Sequence, residues 1–356
     1  LQKGKLFAVQ IFTANTFICK SEKLLLEGQM RAARVYCIAV MWITAFGMSS
    51  VAHGEWVIGR YAGEFLSLGA GARALAMGDA SVAAPTPSSA AYYNPAALAG
   101  IEKRYVEFMH ASQFDNLFAY DYLSLAGKLR GGQCAAVTVL YTRVSDIPLT
   151  RLADPNRPLS DDNRVVVKSE TGDHELALMA AAARPLGASW KAGVTAKLLY
   201  KTVAGESAYG LGFDAGVKRT VLKNVQVGAA LRDVTTSVLA WSTGRTEAIL
   251  PSLAVGGAWS AELRSLNARL SLAADLDGHF ESRGEAETVE AGLLTVEPHV
   301  GLEYLISNTV ALRGGINGTD LTAGAGLNFS WLSVHAAFQD HADLGLTHRI
   351  SVAVAW

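Results

Sequence analysis

Residues 190–201 read WKAGVTAKLLYK. Even and odd positions differ in kind: Trp190, Ala192, Val194, Ala196, Leu198 and Tyr200 are apolar, while Lys191, Gly193, Thr195, Lys197, Leu199 and Lys201 are, but for Leu199, polar or small. Successive side chains of a strand point to opposite faces, so the alternation predicts a strand with one greasy and one wet side. The pattern recurs at 209–218, where Tyr209, Leu211, Phe213 and Val217 alternate with Asp214 and Lys218. It recurs again at 266–277, where Leu270, Leu272 and Leu276 alternate with Arg269, Asp275 and Asp277. About fourteen such segments follow from residue 103 to the end, starting near 103, 117, 133, 173, 189, 206, 223, 250, 265, 295, 308, 319, 331 and 344. A soluble periplasmic sandwich would turn the polar face to solvent, and a membrane barrel would turn it into the lumen. Alternation alone leaves both open.

Three features favour the barrel. The segment count is even, as in bacterial outer-membrane barrels. Connections after even-numbered segments are short, such as Gly131-Gly132 and Ser307-Asn308, whereas residues 146–172, 234–249 and 278–294 are long and polar. Short periplasmic turns and long outer loops give this parity, with both termini on the periplasmic side. The chain also stops on a strand in which Ile350, Val352, Val354 and Trp356 share one face. A terminal aromatic on the lipid face is similar to the signal read by the barrel-assembly machinery, although such signals more often end in Phe. Aromatics near segment ends, among them Tyr141, Trp190, Tyr200, Trp259, Phe329 and Trp331, suit interfacial girdles.

Composition agrees. Half of the residues are apolar and 18% charged, mean hydropathy is +0.22, and no run of about 18 apolar residues occurs, which excludes a helical membrane bundle. Basic and acidic residues nearly cancel at 31 against 32, which removes the basic field that nucleic acid requires. The longest apolar stretch, VYCIAVMWITAFG at 35–47, follows Arg31 and Arg34 and precedes Ser50-Val51-Ala52, the order of a secretory signal peptide over residues 30–52. Residues 1–29 then read as upstream sequence. Cys19 and Cys37 fall before the cleavage point, so Cys134 has no partner for an internal disulfide.

Residues 63–100 neither alternate nor carry much charge. Within them, FLSLGAGARALAMGDA at 65–80 and YYNPAALA at 92–99 resemble the amino-terminal signature of the PorV/PorQ family, a branch of the FadL-like outer-membrane barrels. ALRGGINGTDLTAGAGLNF at 311–329 and DLGLTHRISVAVAW at 343–356 also resemble that family. The resemblance implies an all-β fold: a closed antiparallel barrel of about fourteen strands over 103–356, with residues 53–102 folded into the lumen as a hatch. It carries the family's Asn-Pro-Ala motif onto Asn94, Pro95 and Ala96, and its glycine-rich start onto Gly69, Gly71, Arg73 and Gly78. Family members commonly have Gly where this chain has Ala97. Arg73, alone in an apolar stretch, needs an acceptor if buried, and Asp214, Asp275 and Glu303 are the inward candidates.

The inward charges include Lys197, Asp214, Arg232, Arg269, Asp275, Glu303 and Arg313, and their mixed signs suit a lumen that holds a hatch rather than an open selective pore. Gly69–Ala74 matches G-x-G-x-x-A, but no βαβ unit surrounds it. The spacing of the eight histidines gives no zinc motif, and no G-x-S-x-G motif places a nucleophile. The expectations are therefore no enzyme, no cofactor and no metal, with Asp275 and Asp277 the nearest thing to a calcium pair. The resemblance implies passage of hydrophobic small molecules across the bacterial outer membrane. The alternative it implies is a PorV-like component of a type IX-like secretion system, whose partners are secreted proteins or secretion-system components engaged by loop 146–172. Outer-membrane lipid is the expected surround.

Overall fold

The computed structural model describes residues 56–58, 62–113, 118–280, 289–291, 294–341 and 345–356. The upstream sequence (1–29) and the signal peptide (30–52) lie outside the described residues. The strands are β1 (Trp56–Ile58), β2 (Tyr105–Gln113), β3 (Phe118–Lys128), β4 (Cys134–Leu152), β5 (Val165–Leu186), β6 (Trp190–Val203), β7 (Glu206–Leu222), β8 (Val225–Arg232), β9 (Ser237–Trp241), β10 (Thr246–Ile249), β11 (Ser252–Leu263), β12 (Ala268–His279), β13 (Val289–Ala291), β14 (Leu294–Ile306), β15 (Val310–Asn317), β16 (Asp320–Asn328), β17 (Leu332–His341) and β18 (Gly345–Ala355). Two short helices, α1 (Ala72–Ala76) and α2 (Ala90–Tyr93), come before β2.

Fourteen strands make a closed antiparallel wall: β2 to β8, β11, β12 and β14 to β18. The ring skips β9 and β10, because β8 pairs directly with β11 from Arg232↔Ser252 to Val225↔Trp259, and it closes where β18 pairs with β2, as at Val352↔Phe108. Closure leaves no open edge along the wall. The alternation of the sequence becomes the two faces of this wall. Val194, Leu198, Leu272, Leu302 and Ile350 are exposed outward, and Thr195, Lys197, Asp214, Asp275 and Arg313 are buried inward. Trp190, Phe329, Trp331 and Trp356 stand exposed near the short turns, with the Arg219 guanidinium 5.1 Å from the Trp190 ring centre. Toward the other rim, Tyr200 and Tyr209 pack with centroids 5.0 Å apart. An arginine placed mid-wall on the outer face, Ile350→Arg, is expected to lower stability against urea in lipid vesicles by about 2–4 kcal/mol.

Two stretches read as loops contain paired strands. Beyond the last β3 partner, Val144, and the last β6 partner, Asp173, strands β4 and β5 run on together as a ribbon, Ile147–Leu152 against Val165–Thr171. It stands about 20 Å beyond its neighbours. Val165, Val166 and Val167 support extended backbone there, but exposed polar neighbours break the two-residue period that marks the wall. Residues 237–249 form the hairpin β9–β10, whose upper strand pairs with β7 from Ala208↔Trp241 to Leu211↔Val238. Strands of five and four residues are too short to register as alternation.

The wall's two ends meet at the short-turn rim, where the Arg104 and Trp356 backbones exchange hydrogen bonds of 3.0 and 3.1 Å. The described chain, however, begins at the opposite rim, with β1 parallel to β10 in the register Trp56↔Thr246. The expectation that both ends lie on one side is met by the two ends of the wall; the chain's own amino end lies outside the described residues.

Candidate functional site

Residues 62–101 lie against inward-facing side chains on every side of the ring. About two thirds of them are buried, and small residues bring their backbone close to the wall. Each backbone polar group taken from water needs a partner, and the wall supplies many of them. Ala72 N–H donates to Ser351 Oγ at 2.8 Å, Gly78 N–H to Thr322 Oγ1 at 3.0 Å, and Val82 N–H to Asp275 Oδ2 at 2.7 Å. Tyr120 and Tyr122 donate to the carbonyls of Gly69 and Ser88 at 2.7 and 2.6 Å. Gly78 has φ +62, and a Cβ there would lie 2.5 Å from Val300 O, so the position requires glycine on two counts.

Asn94 is fully buried and joins the segment to the wall. Its Nδ2 donates to Val82 O at 3.0 Å and to Val217 O at 3.1 Å, while its Oδ1 accepts from Ala96 N–H at 3.1 Å, capping the 3-10 turn Pro95–Leu98. Pro95 at the first position of that turn has a fixed φ and no N–H to satisfy. The wall yields space opposite: a Cβ on Gly193 would fall 2.6 Å from Ala96 N.

Charge fixes the segment at one further point. Arg73 makes a forked pair with Glu303, Nε–Oε2 2.9 Å and Nη2–Oε1 3.1 Å, and Arg313 Nε reaches the same Oε2 at 2.6 Å. Burial works against the Arg73 charge, but the Glu303 carboxylate outweighs it and holds the guanidinium pKa above its ordinary value. Of the three acceptors open to Arg73, Glu303 is the one used. Asp275 serves the Val82 amide, and Asp214 joins Asp233 around Lys197 at 2.7 and 2.6 Å. Arg232 pairs with Asp277 at 2.6 Å, which spends one of the two carboxylates considered for calcium. Arg269 shares the inward phase of Ala273 and Asp275 and lines a cavity with Arg73 and Glu303. At the start of β12, near the short-turn rim, it is half-exposed and pairs at 2.6 Å with Glu262.

Toward the rim of long connections the lumen is divided. One half holds an apolar cluster of inward Met109, Tyr120, Leu140, Met179, Leu199 and Leu239, into which Phe65 packs, with Leu66 and Leu68 beside it. The other half presents Arg232, Asp277, Glu297 and His299. Tyr92 and Tyr93 stand at the divide. Tyr92 accepts from Gly69 N–H and donates to Leu66 O at 2.8 and 2.6 Å; Tyr93 accepts from Ala70 N–H and donates to Asp79 Oδ1 at 2.8 and 2.7 Å. Burial, reinforced by the Asp79 charge, raises both phenol pKa values, so both remain donors. Cavities of about 60 and 50 Å³ lie at this divide, and one of about 150 Å³ lies beside Arg73 and Arg269.

Sequence reasoning missed the two tyrosines, Glu107 and Arg349. Buried Glu107 accepts from Ser88 Oγ, and Arg349 donates to Leu68 O. The inward phase of β2 and β18 was the available signal.

A closed antiparallel barrel with an apolar outer band and a lumen filled by its own chain is a bacterial outer-membrane protein by architecture. No family model matches the sequence, and no curated relative matches it. Among solved structures, the chain is similar to the CymD monoaromatic hydrocarbon channel (TM-score 0.55, 12% identity, 81% of this chain and 97% of that one covered). It is also similar to the Pseudomonas putida toluene transporter TodX (0.52, 13%, 81% and 97%) and the Ralstonia pickettii toluene transporter TbuX (0.51, 13%, 81% and 97%). At such identities the likeness is one of fold.

Proposed function

We propose that this chain is an outer-membrane channel for small hydrophobic molecules, of the PorV/PorQ type on its signature residues, with residues 62–101 as the hatch. The apolar cluster around Phe65 and Met179 carries this reading, because it gives the outer half of the lumen an apolar lining where a barrel interior is ordinarily polar. The fold shared with hydrocarbon channels supports it. The cavities at the divide are far smaller than the roughly 150 Å³ that an engineered site uses to hold benzene, so passage requires the hatch to shift.

Asn94 sets the end of α2 and, through it, Tyr92 at the edge of the apolar half. The double substitution Asn94→Ala with Pro95→Ala strands buried backbone groups at about 1–3 kcal/mol each. Uptake of radiolabelled toluene by cells is expected to fall severalfold while the barrel still shows heat-shifted gel mobility. Unchanged uptake would remove the hatch from the mechanism.

A second reading, binding of exported proteins, draws on the β4–β5 ribbon, which stands clear of the wall with exposed Val165, Val166 and Val167. Deleting residues 147–171 should then abolish co-purification of a secreted partner; retention of every partner would end this reading.

A further inference from the structure

The hairpin β9–β10 is inserted between two strands that pair with each other without it, since Arg232 of β8 already faces Ser252 of β11. The ring can therefore stay closed whatever the hairpin does. Its underside is apolar: Leu239 is fully buried in the cluster with Phe65, and Trp241 and Ile249 pack against that cluster. It is held at its margins by four residue pairs with β7 and three with β1.

The connection from β8 to the hairpin is strained. Asp233 and Thr236 have φ values of +52 and +59, and a β-branched residue in that region is an outlier. Both sit beside an ionic knot. Lys197 Nζ, almost wholly buried, lies 2.7 Å from Asp214 Oδ1 on the wall and 2.6 Å from Asp233 Oδ1 on the hinge; Asp233 N–H donates to Asp214 at 2.9 Å, and Ser237 Oγ donates to Asp233. The closed position also leaves Trp241 Nε1 buried without an acceptor among the described residues. Strain and an unmet donor oppose closure, and the knot and apolar contacts favour it.

We propose that residues 237–249 form a lid over the apolar half of the outer mouth, hinged at 233–236 and latched by Lys197. This deepens the transport reading and rests on it for what the lid admits. Lid and hatch move together in this arrangement, because β10 pairs with β1 just ahead of the hatch and Ile249 packs so closely on Gly63 that a Cβ there would meet its Cδ1 at 3.0 Å.

The test uses the full chain in nanodiscs with Cys19→Ala, Cys37→Ala and Cys134→Ala, and follows the rate at which a maleimide alkylates Leu239→Cys. The expected result is slow reaction, accelerated at least about tenfold by Lys197→Met and slowed by Thr236→Gly, which relieves the hinge. Asp233→Asn removes one latch partner and stands in should Lys197→Met fail to reach the heat-resistant folded band. Equal rates in latch variants and parent overturn the lid. Separately, Tyr209→Cys with Ala240→Cys, directly opposed on β7 and β9, ties the lid shut when oxidised. Toluene uptake should then be lost and return on reduction. Uptake indifferent to the tie, in a protein whose labelling responds to the latch, overturns transport through this mouth and leaves the lid standing.

Discussion

Glu303→Gln is expected to turn a quiet barrel into a conducting one. The carboxylate lies between two guanidiniums, Arg73 on the hatch and Arg313 on the wall, and without it two buried positive charges face each other. Removing one partner of a buried ion pair costs about 3–5 kcal/mol, and here the strain falls on a contact that holds α1 to the wall. In planar bilayers the variant should show frequent long openings. Trypsin should cut after Arg73, where the parent is protected. Restoring charge balance with Glu303→Gln plus Arg313→Met should quieten the channel again. Bilayer traces indistinguishable from the parent's would mean that Arg73 contributes nothing to seating.

Gly193→Leu should unseat the other end of the hatch. A Cβ at this position meets backbone, 2.6 Å from Ala96 N, and a peptide group cannot swing aside as a long side chain can. Overpacking costs typically about 1–3 kcal/mol when the neighbours are side chains, so ejection of Pro95–Leu98 is the easier relief. Amide hydrogen exchange at Ala91–Leu98 should accelerate by orders of magnitude while β6 and β7 stay protected. Gly257→Leu is the control, since the nearest atom to its Cβ is Gln226 O at 3.9 Å. Equal exchange in the two variants would show that the close approach at Gly193 is not what seats the motif.

The wall was legible because its chemistry repeats every two residues and its turns alternate in length. Lys197, Asp214, Asp275, Glu303 and Arg313 could be placed inward from phase alone. Their partners could not. Which carboxylate meets Arg73 depends on how strands far apart in sequence stagger around the ring, so Asp214, Asp275 and Glu303 were equivalent until the register was known. The ribbon and the hairpin escaped because they lack a buried face of regular period. Tyr92 and Tyr93 gave no periodic signal, since an inner segment without regular structure takes its order from the wall it touches. Inward glycines such as Gly193 looked like weak strand positions, and their meaning appears only with Ala96 opposite them.

The inner segment also bears on what holds the wall shut. Its contacts run from Asn94 on β7, in the middle of the wall, to Ala72 on Ser351 of the last strand. The seam between β18 and β2 lies against a segment that both flanking strands grip, through Ser351 on one side and Met109, which accepts from Gly71 N–H, on the other. Residues 62–101 therefore work as a strap across the seam, tying both of its edges to one another and to the middle of the wall.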